Sequence, residues 1–423
     1  MSVYLNNAAT TWPKPPCVSR AVADFIISGG ASLARGTASE RDMKTLSLVL
    51  ECRILLARRF GGFENGDPRY VTFCSGVTEA LNLVLKGFLS FCSSRRSSHE
   101  GRPLRVLSSQ MEHNAVVRPL RGLERQGVRT EFLPCDPDGF LRPETVKEAL
   151  AAEKADLMVL SHASNVCGTI QPLPDIAELC GAFDVPLVVD AAQTAGALSF
   201  GNSFEKEGEP DFRAADWNLA ALCFTGHKGL MGPQGTGGVL WRPDFAERTA
   251  PLVEGGTGSF SQVEFQPSDM PDKFEAGTPN LPGIAGLYAS LLWLEETGVK
   301  TVERREREMG ERLLEGLKEI DGAVLGGRSS MEGRLPVFSV NFREPDVFNK
   351  SGEFGEFVDN GVLADRLSQE GFETRPGLHC APLAHRTLGT FPQGSLRVSP
   401  GYFNEPEDID AFLEAVKRCI REN

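Results

Sequence analysis

A single lysine in a glycine-rich segment is the residue of this chain best suited to covalent chemistry. Lys228 lies in TGHKGLMGPQGTGG, residues 225–238, which holds six glycines, one histidine and no acidic residue. A lysine without a carboxylate neighbour, held in a crowded turn, has its pKa lowered by desolvation. The neutral amine is the form that makes a Schiff base. Lys228 is therefore a candidate for Schiff-base chemistry.

A turn of small residues could bind a phosphate group. In CSGVTEALN an apolar strand turns directly into a helix through Ser75, Gly76, Val77 and Thr78. Free backbone N–H groups and a hydroxyl then meet the positive end of the helix dipole, where anions bind. A small-residue turn before a helix is also common without any ligand, so the turn alone leaves both interpretations open.

Two more polar residues follow apolar strands. Asp190 ends the run VPLVVD, where a buried carboxylate needs a cation or hydrogen-bond donors, although it could simply cap a helix. His113 opens a helix after LRVLSSQ, and a structural histidine is the alternative there. Together with Lys228 and the phosphate turn, these residues are the parts needed to hold pyridoxal 5'-phosphate (PLP). The aspartate keeps the ring nitrogen protonated, which makes the ring an electron sink.

The elements that carry these residues indicate an α/β fold. Short Val/Leu/Ile-rich runs alternate with longer segments of helical period, which is typical of a mostly parallel sheet covered by helices on both faces. Ligands bind at the carboxyl ends of strands in such sheets. A long amphipathic segment after FEAGTPNLPG suits a helix that connects two domains. We predict a large domain at 20–282 and a smaller α+β domain made of 1–19 and 283–423.

Composition excludes several classes of protein. The 423 residues carry a net charge of −13, which argues against nucleic acid or anionic membrane as the main partner. No signal peptide is recognisable, and no apolar run approaches the roughly 20 residues that span a bilayer, so we expect a cytoplasmic protein. The ten cysteines form no CxxC pair and no zinc-like cluster, so we expect neither a disulfide framework nor a metal site.

Ten ordered segments resemble one family over nearly the whole chain. They are YLNNAATTWPKP, SGVTEALN, EHNAVVRPL, SNVCGTIQP, VDAAQTAG, TGHKGLMGPQGTGG, EGGTGS, FEAGTPN, RPGLHCAPLAHRTLGT and LRVSPGYFN. The chain resembles the cysteine desulfurase and selenocysteine lyase group of PLP-dependent enzymes with the class V aminotransferase fold. This resemblance implies fold type I: a large domain with a mostly parallel seven-stranded sheet flanked by helices, plus a smaller α+β domain.

The resemblance also implies cofactor-binding roles. Lys228 is similar to the Schiff-base lysine, His113 would stack on the cofactor ring, Asp190 would pair with the pyridine nitrogen and Gln193 would reach the phenolic oxygen. The positions that resemble phosphate ligands are Gly76, Val77, Thr78, Thr225 and His227. Gly255, Gly256, Thr257 and Thr278 resemble the residues that close over the phosphate from a neighbouring subunit. A homodimer is therefore implied.

The substrate side of the site is implied in the same way. Asn165 and Arg397, with Arg375, match positions that hold the substrate carboxylate, for which a guanidinium is well shaped. Cys380 falls where these desulfurases carry the nucleophilic thiolate, with His379 and the two arginines as candidates for the positive charge that assists it. The implied reaction converts L-cysteine to L-alanine, with Lys228 removing the α-proton and a persulfide remaining on Cys380. An acceptor protein or a thiol would then take the sulfur.

Other functions stay open at this point. Three positions differ from residues that are frequent in the family that the chain resembles. Val77 replaces a threonine, Asn6 an aspartate and Leu378 a histidine. The last difference leaves open selenocysteine lyase, cysteine sulfinate desulfinase and other lyases or transferases of class V. A non-catalytic cofactor-binding protein is a remote alternative. A nucleotide-binding loop is disfavoured, because Lys228 precedes GPQGTGG rather than following the glycines as in a P-loop.

Overall fold

The computed structural model describes residues 2–28, 39–95, 102–198, 214–344 and 356–421. Its strands are β1 (Val3–Tyr4), β2 (Val71–Cys74), β3 (Arg105–Ser109), β4 (Arg129–Leu133), β5 (Leu157–Ser161), β6 (Leu187–Asp190), β7 (Ala221–Thr225), β8 (Gly237–Trp241), β9 (Ala323–Gly326), β10 (Phe338–Phe342), β11 (Phe372–Glu373), β12 (Arg375–Gly377) and β13 (Ser395–Val398). Its helices are α1 (Pro16–Ile27), α2 (Glu40–Arg59), α3 (Phe63–Gly66), α4 (Val77–Arg95), α5 (Asn114–Glu124), α6 (Pro143–Ala152), α7 (Leu173–Ala182), α8 (Pro243–Glu247), α9 (Leu281–Thr297), α10 (Val299–Lys318), α11 (Asn360–Gln369), α12 (Pro382–Thr387) and α13 (Pro406–Cys419). Short 3₁₀ turns span Pro68–Tyr70 and Asp272–Phe274.

The main sheet of the described residues has seven strands in the order β2-β8-β7-β6-β5-β3-β4. Neighbouring strands from β7 through β4 run parallel, and β8 runs antiparallel to both β2 and β7. The central strands are apolar at successive positions because both faces of the sheet are covered. The mostly parallel seven-stranded sheet predicted for this chain is confirmed.

Side chains of each central strand alternate between two apolar cores. In β5, Met158 and Leu160 face the core that contains residues of α2, α6, α7 and α9, whereas Leu157 and Val159 face the core that contains residues of α4 and α5. This alternation is the two-residue period of a strand. Helices on both faces therefore hold the sheet rigid, and its strand ends form a stable platform for a site.

A second sheet has the order β12-β13-β10-β9 and is antiparallel throughout. Residues of α10, α11 and α13 pack with β10 and β13 in a separate apolar core, which includes Leu313, Phe338, Leu363, Leu396 and Phe412. The exact division of the chain at 282 stays a prediction. Within the described ranges, no helix is long and apolar enough to cross a membrane.

Candidate active site

Lys228 lies in a compact turn between β7 and β8. The Gly226 N–H donates to the Thr236 carbonyl at 2.8 Å, and the Gly232 N–H donates to the Gly226 carbonyl at 2.8 Å. A β-carbon on Gly226 would approach the Thr236 hydroxyl oxygen to 2.1 Å, so a larger residue cannot occupy that position without moving its neighbours. The glycines of this segment therefore let the backbone fold tightly around the lysine.

The environment of Lys228 favours the neutral amine. The pKa of Lys228 is lowered to about 8, mainly by burial; Asp190 opposes this shift, and Arg397 and Arg375 contribute to it. Roughly a tenth of the amine is therefore unprotonated at pH 7, far more than for an ordinary lysine. This is the form that can act as a nucleophile or a base.

The N-terminal segment ties down this turn from outside it. The Thr10 hydroxyl donates to the His227 carbonyl at 3.0 Å, the Lys14 ammonium donates to the same oxygen at 2.6 Å, and the Thr11 hydroxyl donates to the Lys228 carbonyl at 3.1 Å. Burial lowers the pKa of Lys14 to about 7. Sequence reasoning missed these contacts, although the two threonines and the lysine of TTWPK offer several hydrogen-bond donors close together in the chain.

Asp190 lies at the carboxyl end of β6, directly beside Ser161 at the end of β5. Its side chain is buried, and its Oδ1 accepts the Ala192 N–H at 2.9 Å. Burial raises its pKa, whereas the Ala192 N–H and Lys228 act in the opposite direction. A cationic hydrogen-bond donor placed beside Asp190 would favour its ionised form.

Glu112 is a buried carboxyl group that sequence reasoning missed. It accepts the hydroxyls of Ser109 and Ser161 at 2.6 Å each, and so links the ends of β3 and β5. Burial raises its pKa to about 7 despite these hydrogen bonds, and repulsion from Asp190 adds to the shift. The position of Glu112 immediately before His113 was the one sequence feature that could have indicated its presence in the site.

His113 caps α5 with its ring. Its Nδ1 accepts the Ala115 N–H at 3.0 Å, so the proton of the neutral ring is on Nε2. Burial, followed by Lys228 and the arginines, lowers the pKa of His113 to about 4, so the ring is neutral at physiological pH. Gln193, also buried, donates from Nε2 to the Ala8 carbonyl at 3.1 Å.

These residues fit a ligand that has both a phosphate and an aromatic ring. Gly76, before the first turn of α4, lies against Thr225, since a β-carbon on it would be 3.5 Å from the Thr225 hydroxyl. The first turn of a helix leaves N–H groups available for an anion, and Val77 and Thr78 lie in that turn. His227 adds a buried Nδ1 that has no hydrogen-bond partner among the described residues.

Cys380 is the exposed member of the ten cysteines, all of which lie in the described part of the chain. It follows β12 in a turn, and its carbonyl accepts the Asn114 N–H at 2.7 Å, immediately after His113. Its charged form interacts with both Lys228 and Arg397. The thiol group therefore shares an electropositive environment with the lysine.

His379 does not supply the positive charge predicted for it. Its Nε2 lies 2.9 Å from the Arg375 carbonyl and its Nδ1 lies 3.2 Å from Nε2 of His385, so both ring nitrogens are occupied. Burial lowers its pKa to about 3, and the ring is neutral. That part of the prediction is wrong, and Arg397 and Lys228 are the cations that interact with Cys380.

Arg397 lies in β13 opposite Arg375 of β12. It is buried, and it donates to the Asn165 carbonyl at 3.0 Å and to Oδ1 of Asn6 at 2.9 Å. Its Nε has no hydrogen-bond partner among the described residues. Burial lowers its pKa to about 9, with repulsion from Arg375 as the next cause. Asn165 also donates from Nδ2 to the His379 carbonyl at 2.8 Å.

Gly256, Thr257 and Thr278 lie apart from this group. They line a cavity of about 890 Å³ whose wall also includes Ser75 and Glu79 near the start of α4. Lys228, Asp190 and His113 are not among its lining residues. Gly255 precedes this stretch, and its N–H donates to the Gln266 side chain at 3.0 Å. Within one subunit, Gly256, Thr257 and Thr278 therefore do not lie beside Lys228.

Known proteins resemble this chain over its whole length. The family model for aminotransferase class-V matches residues 3–412. A probable cysteine desulfurase of Pseudomonas aeruginosa is 32% identical over 425 residues, covering 99% of this chain and 93% of its own. One from Methanothermobacter thermautotrophicus is 29% identical, covering 98% of this chain and 94% of its own. An apo structure of a cysteine desulfurase from Thermococcus onnurineus NA1 superposes with a TM-score of 0.85 at 25% identity, covering 100% of this chain and 95% of that one. The chain belongs to the class-V aminotransferase family.

Proposed function

We propose that this protein is a PLP-dependent cysteine desulfurase, which converts L-cysteine to L-alanine and takes the sulfur as a persulfide on Cys380. The observation that carries the proposal is the exposed Cys380, whose backbone carbonyl accepts the Asn114 N–H at the start of the helix that His113 caps. Lys228 is within electrostatic reach of it. An exposed cysteine and a lysine of lowered pKa therefore lie within electrostatic range of each other.

The residues that would hold PLP come from several strand ends. Asp190 would face the ring nitrogen, His113 the ring, and Gln193 the phenolic oxygen. The phosphate would lie among Gly76, Val77, Thr78, Thr225 and His227. When bound, the cofactor supplies an electron sink that stabilises negative charge on the substrate carbon.

Residues of this chain would do the remaining chemistry. Arg397, with Arg375 and Asn165, would bind the substrate carboxylate and orient the amino acid. Lys228 would accept the Cα proton on Nζ, for which a pKa of about 8 is well matched to neutral pH. The Cys380 thiolate would then form an S–S bond to the substrate sulfur as the C–S bond breaks. The electron pair of that bond stays with the carbon, which takes up a proton to give alanine.

The experiment is persulfide trapping on Cys380. After incubation with PLP and L-cysteine, mass spectrometry should locate the extra sulfur on Cys380, and Cys380→Ala should reduce alanine formation on the order of 100-fold or more. Cys380→Ala should keep the absorbance of bound cofactor. Cys17→Ala, a change at a half-buried cysteine of α1, is the matched control and should behave as wild type.

Other outcomes would redirect the proposal. A label on any other cysteine would remove Cys380 from the reaction. Undiminished turnover of selenocysteine by Cys380→Ala, with no wild-type turnover of cysteine, would identify a selenocysteine lyase. Wild-type turnover of cysteine sulfinate alone would identify a desulfinase.

One observation supports a homodimer and a second supports a reducing compartment. Large apolar side chains are exposed on α2 and on the 252–265 stretch, beside the cavity that Gly256, Thr257 and Thr278 line. A second copy of the chain would cover them and bring these residues to its own cofactor. All ten cysteines are free, which fits the cytosol. A small thiol or an acceptor protein would remove the sulfur from Cys380.

A further inference from the structure

The turn that carries Cys380 has a strained backbone. His379 has φ of 49° and Cys380 has φ of 57°, so two consecutive residues with side chains lie in the left-handed region. Residues other than glycine adopt this conformation at a cost in free energy, and keep it only where their surroundings hold it. The position of the Cys380 thiol therefore depends on contacts that maintain this turn.

Backbone contacts secure the carbonyl groups of the turn. The His379 carbonyl accepts Nδ2 of Asn165 at 2.8 Å, and the Cys380 carbonyl accepts the Asn114 N–H at 2.7 Å. The Ala381 N–H closes the turn onto the Leu378 carbonyl at 2.8 Å. These bonds fix the orientation of the carbonyl groups. A side chain provides the remaining contacts that hold the turn.

That side chain is the ring of His379, which begins a buried hydrogen-bonded chain. Nε2 of His379 lies 2.9 Å from the Arg375 carbonyl, and its Nδ1 lies 3.2 Å from Nε2 of His385. Nδ1 of His385 lies 2.7 Å from the Thr390 hydroxyl oxygen. The chain thus connects β12, before Cys380, to the residues after α12, and so spans the cysteine turn.

Only one placement of protons satisfies this chain when both rings are neutral. The Arg375 carbonyl can only accept, so Nε2 of His379 carries a proton and its Nδ1 accepts. Nε2 of His385 must therefore donate, which leaves its Nδ1 as an acceptor for the Thr390 hydroxyl. Burial lowers the pKa of His379 to about 3 and that of His385 to about 4, so both rings are neutral across the physiological range.

We propose that His385 and Thr390 are positioning residues for the Cys380 thiol, acting through His379. The Arg375 carbonyl sets the tautomer of His379, and His379 sets that of His385. The Thr390 hydroxyl donates to the acceptor that remains on His385 and so holds the two rings in place, and the His379 ring holds the left-handed turn against the Arg375 carbonyl. Neither His385 nor Thr390 takes part in proton or sulfur transfer. The inference rests on the proposed role of Cys380 as the sulfur acceptor.

The backbone around His385 reinforces the chain. Its carbonyl accepts the N–H groups of Thr390 at 2.8 Å and Phe391 at 3.1 Å, and its own N–H donates to the Ala381 carbonyl at 3.2 Å. His385 is completely buried. Solvent therefore cannot replace a hydrogen bond that the His385 ring loses, and a change in this ring should alter the position of the turn.

The test compares Thr390→Val, which removes the hydroxyl and keeps the shape, with Thr390→Ser, which keeps the hydroxyl. In the holoenzyme, Thr390→Val should lower kcat for alanine formation about tenfold, because a small misplacement of a nucleophile has a large effect on rate. KM for L-cysteine and the rate of substrate Cα–H exchange in D₂O should not change, since both use Lys228 and Arg397. Thr390→Ser should stay within about twofold of wild type.

A second readout does not depend on turnover. The rate of Cys380 alkylation by iodoacetamide, followed by peptide mass spectrometry, should change in Thr390→Val and not in Thr390→Ser. Thr387→Val is the matched control, because Thr387 lies in α12 and its hydroxyl donates to the Leu383 carbonyl and Gln110 instead of His385. It should match wild type in both measurements.

A second pair of variants covers the possibility that the valine disturbs folding. His385→Gln keeps one donor and one acceptor, and should retain more Cys380 reactivity and kcat than His385→Leu. Wild-type alkylation and kcat in Thr390→Val or His385→Leu would overturn the proposal, as would equal loss in Thr390→Val and Thr390→Ser. Absence of persulfide on wild-type Cys380 would instead contradict the proposed function, while the alkylation comparison would still test the positioning role.

Discussion

Arg397 is a buried guanidinium without a carboxylate partner among the described residues. Its contacts are the Asn165 carbonyl and the side-chain oxygen of Asn6, both neutral. A buried charge paired only with neutral groups is costly, and this cost is expressed here as a pKa lowered to about 9 by burial. An anionic substrate group would offset the cost, which is why we assign the substrate carboxylate to Arg397.

We predict that Arg397→Lys raises KM for L-cysteine roughly 10- to 100-fold, equivalent to about 1.4–2.8 kcal/mol of lost binding. Lysine keeps the charge but cannot form two parallel hydrogen bonds to a carboxylate. PLP affinity should stay near that of wild type in equilibrium titration. Arg386→Lys, at an exposed position of α12, is the control. An unchanged KM together with lost PLP binding would place Arg397 on the cofactor instead.

The ends of β3 and β5 are joined by Glu112. Its carboxylate accepts Ser109 and Ser161, but burial outweighs these bonds and raises its pKa from 4.5 to about 7. The folded protein therefore binds more protons than the unfolded chain between these two values. It follows that the contribution of Glu112 to stability falls as pH rises from about 4.5 to about 7.

We predict that Glu112→Gln becomes more stable relative to wild type as pH rises from 5 to 8. The relative change in free energy of unfolding should approach, at most, roughly 3 kcal/mol, because the uncharged amide avoids the burial of a carboxylate. Urea unfolding of the cofactor-free proteins at both pH values measures it. Glu308→Gln, exposed on α10, should give no such trend. A relative stability of Glu112→Gln that does not depend on pH would contradict the assignment.

Among the described residues, large apolar side chains are exposed to solvent beside the cavity of about 890 Å³. Leu50 of α2 is 48% exposed, Val253 is 57% exposed and Phe265 is 83% exposed. Leu50 and Val253 also line the cavity together with Gly256, Thr257 and Thr278. Burial of such a surface by a second copy would provide the hydrophobic energy of a stable interface.

We predict that Leu50→Glu combined with Val253→Glu converts the protein to a monomer, because two charges would be buried in the interface. Sedimentation velocity should detect the change, and PLP affinity should fall at least about tenfold if residues of the second subunit complete the site. Val362→Glu places a charge on an exposed apolar position of α11 and should remain a dimer. A fully active monomer at assay concentration would refute the shared site.

Local sequence patterns were sufficient to predict the sheet and the residues at its strand ends. Apolar runs such as LMVLS and LVVD must be covered on both faces, and that requirement alone predicts a mostly parallel sheet. Asp190 could be placed at a strand end because it is the last residue of LVVD, and Thr225 because it is the last residue of the apolar run ALCFT. Lys228 could be singled out because its neighbours are glycines. All of these signals are local in the chain.

The contacts that distant segments make around those residues could be seen only in the folded chain. Lys14 binds the His227 carbonyl across 213 positions, and Asn165 binds the His379 carbonyl across 214. The neutral state of His379 depends on burial and on its contact with His385; RPGLHCAPLAH contains both histidines but shows neither the burial nor the contact. Hydrogen-bond partners and desolvation are properties of packed neighbours, and packing brings together residues whose separation in the chain carries no signal.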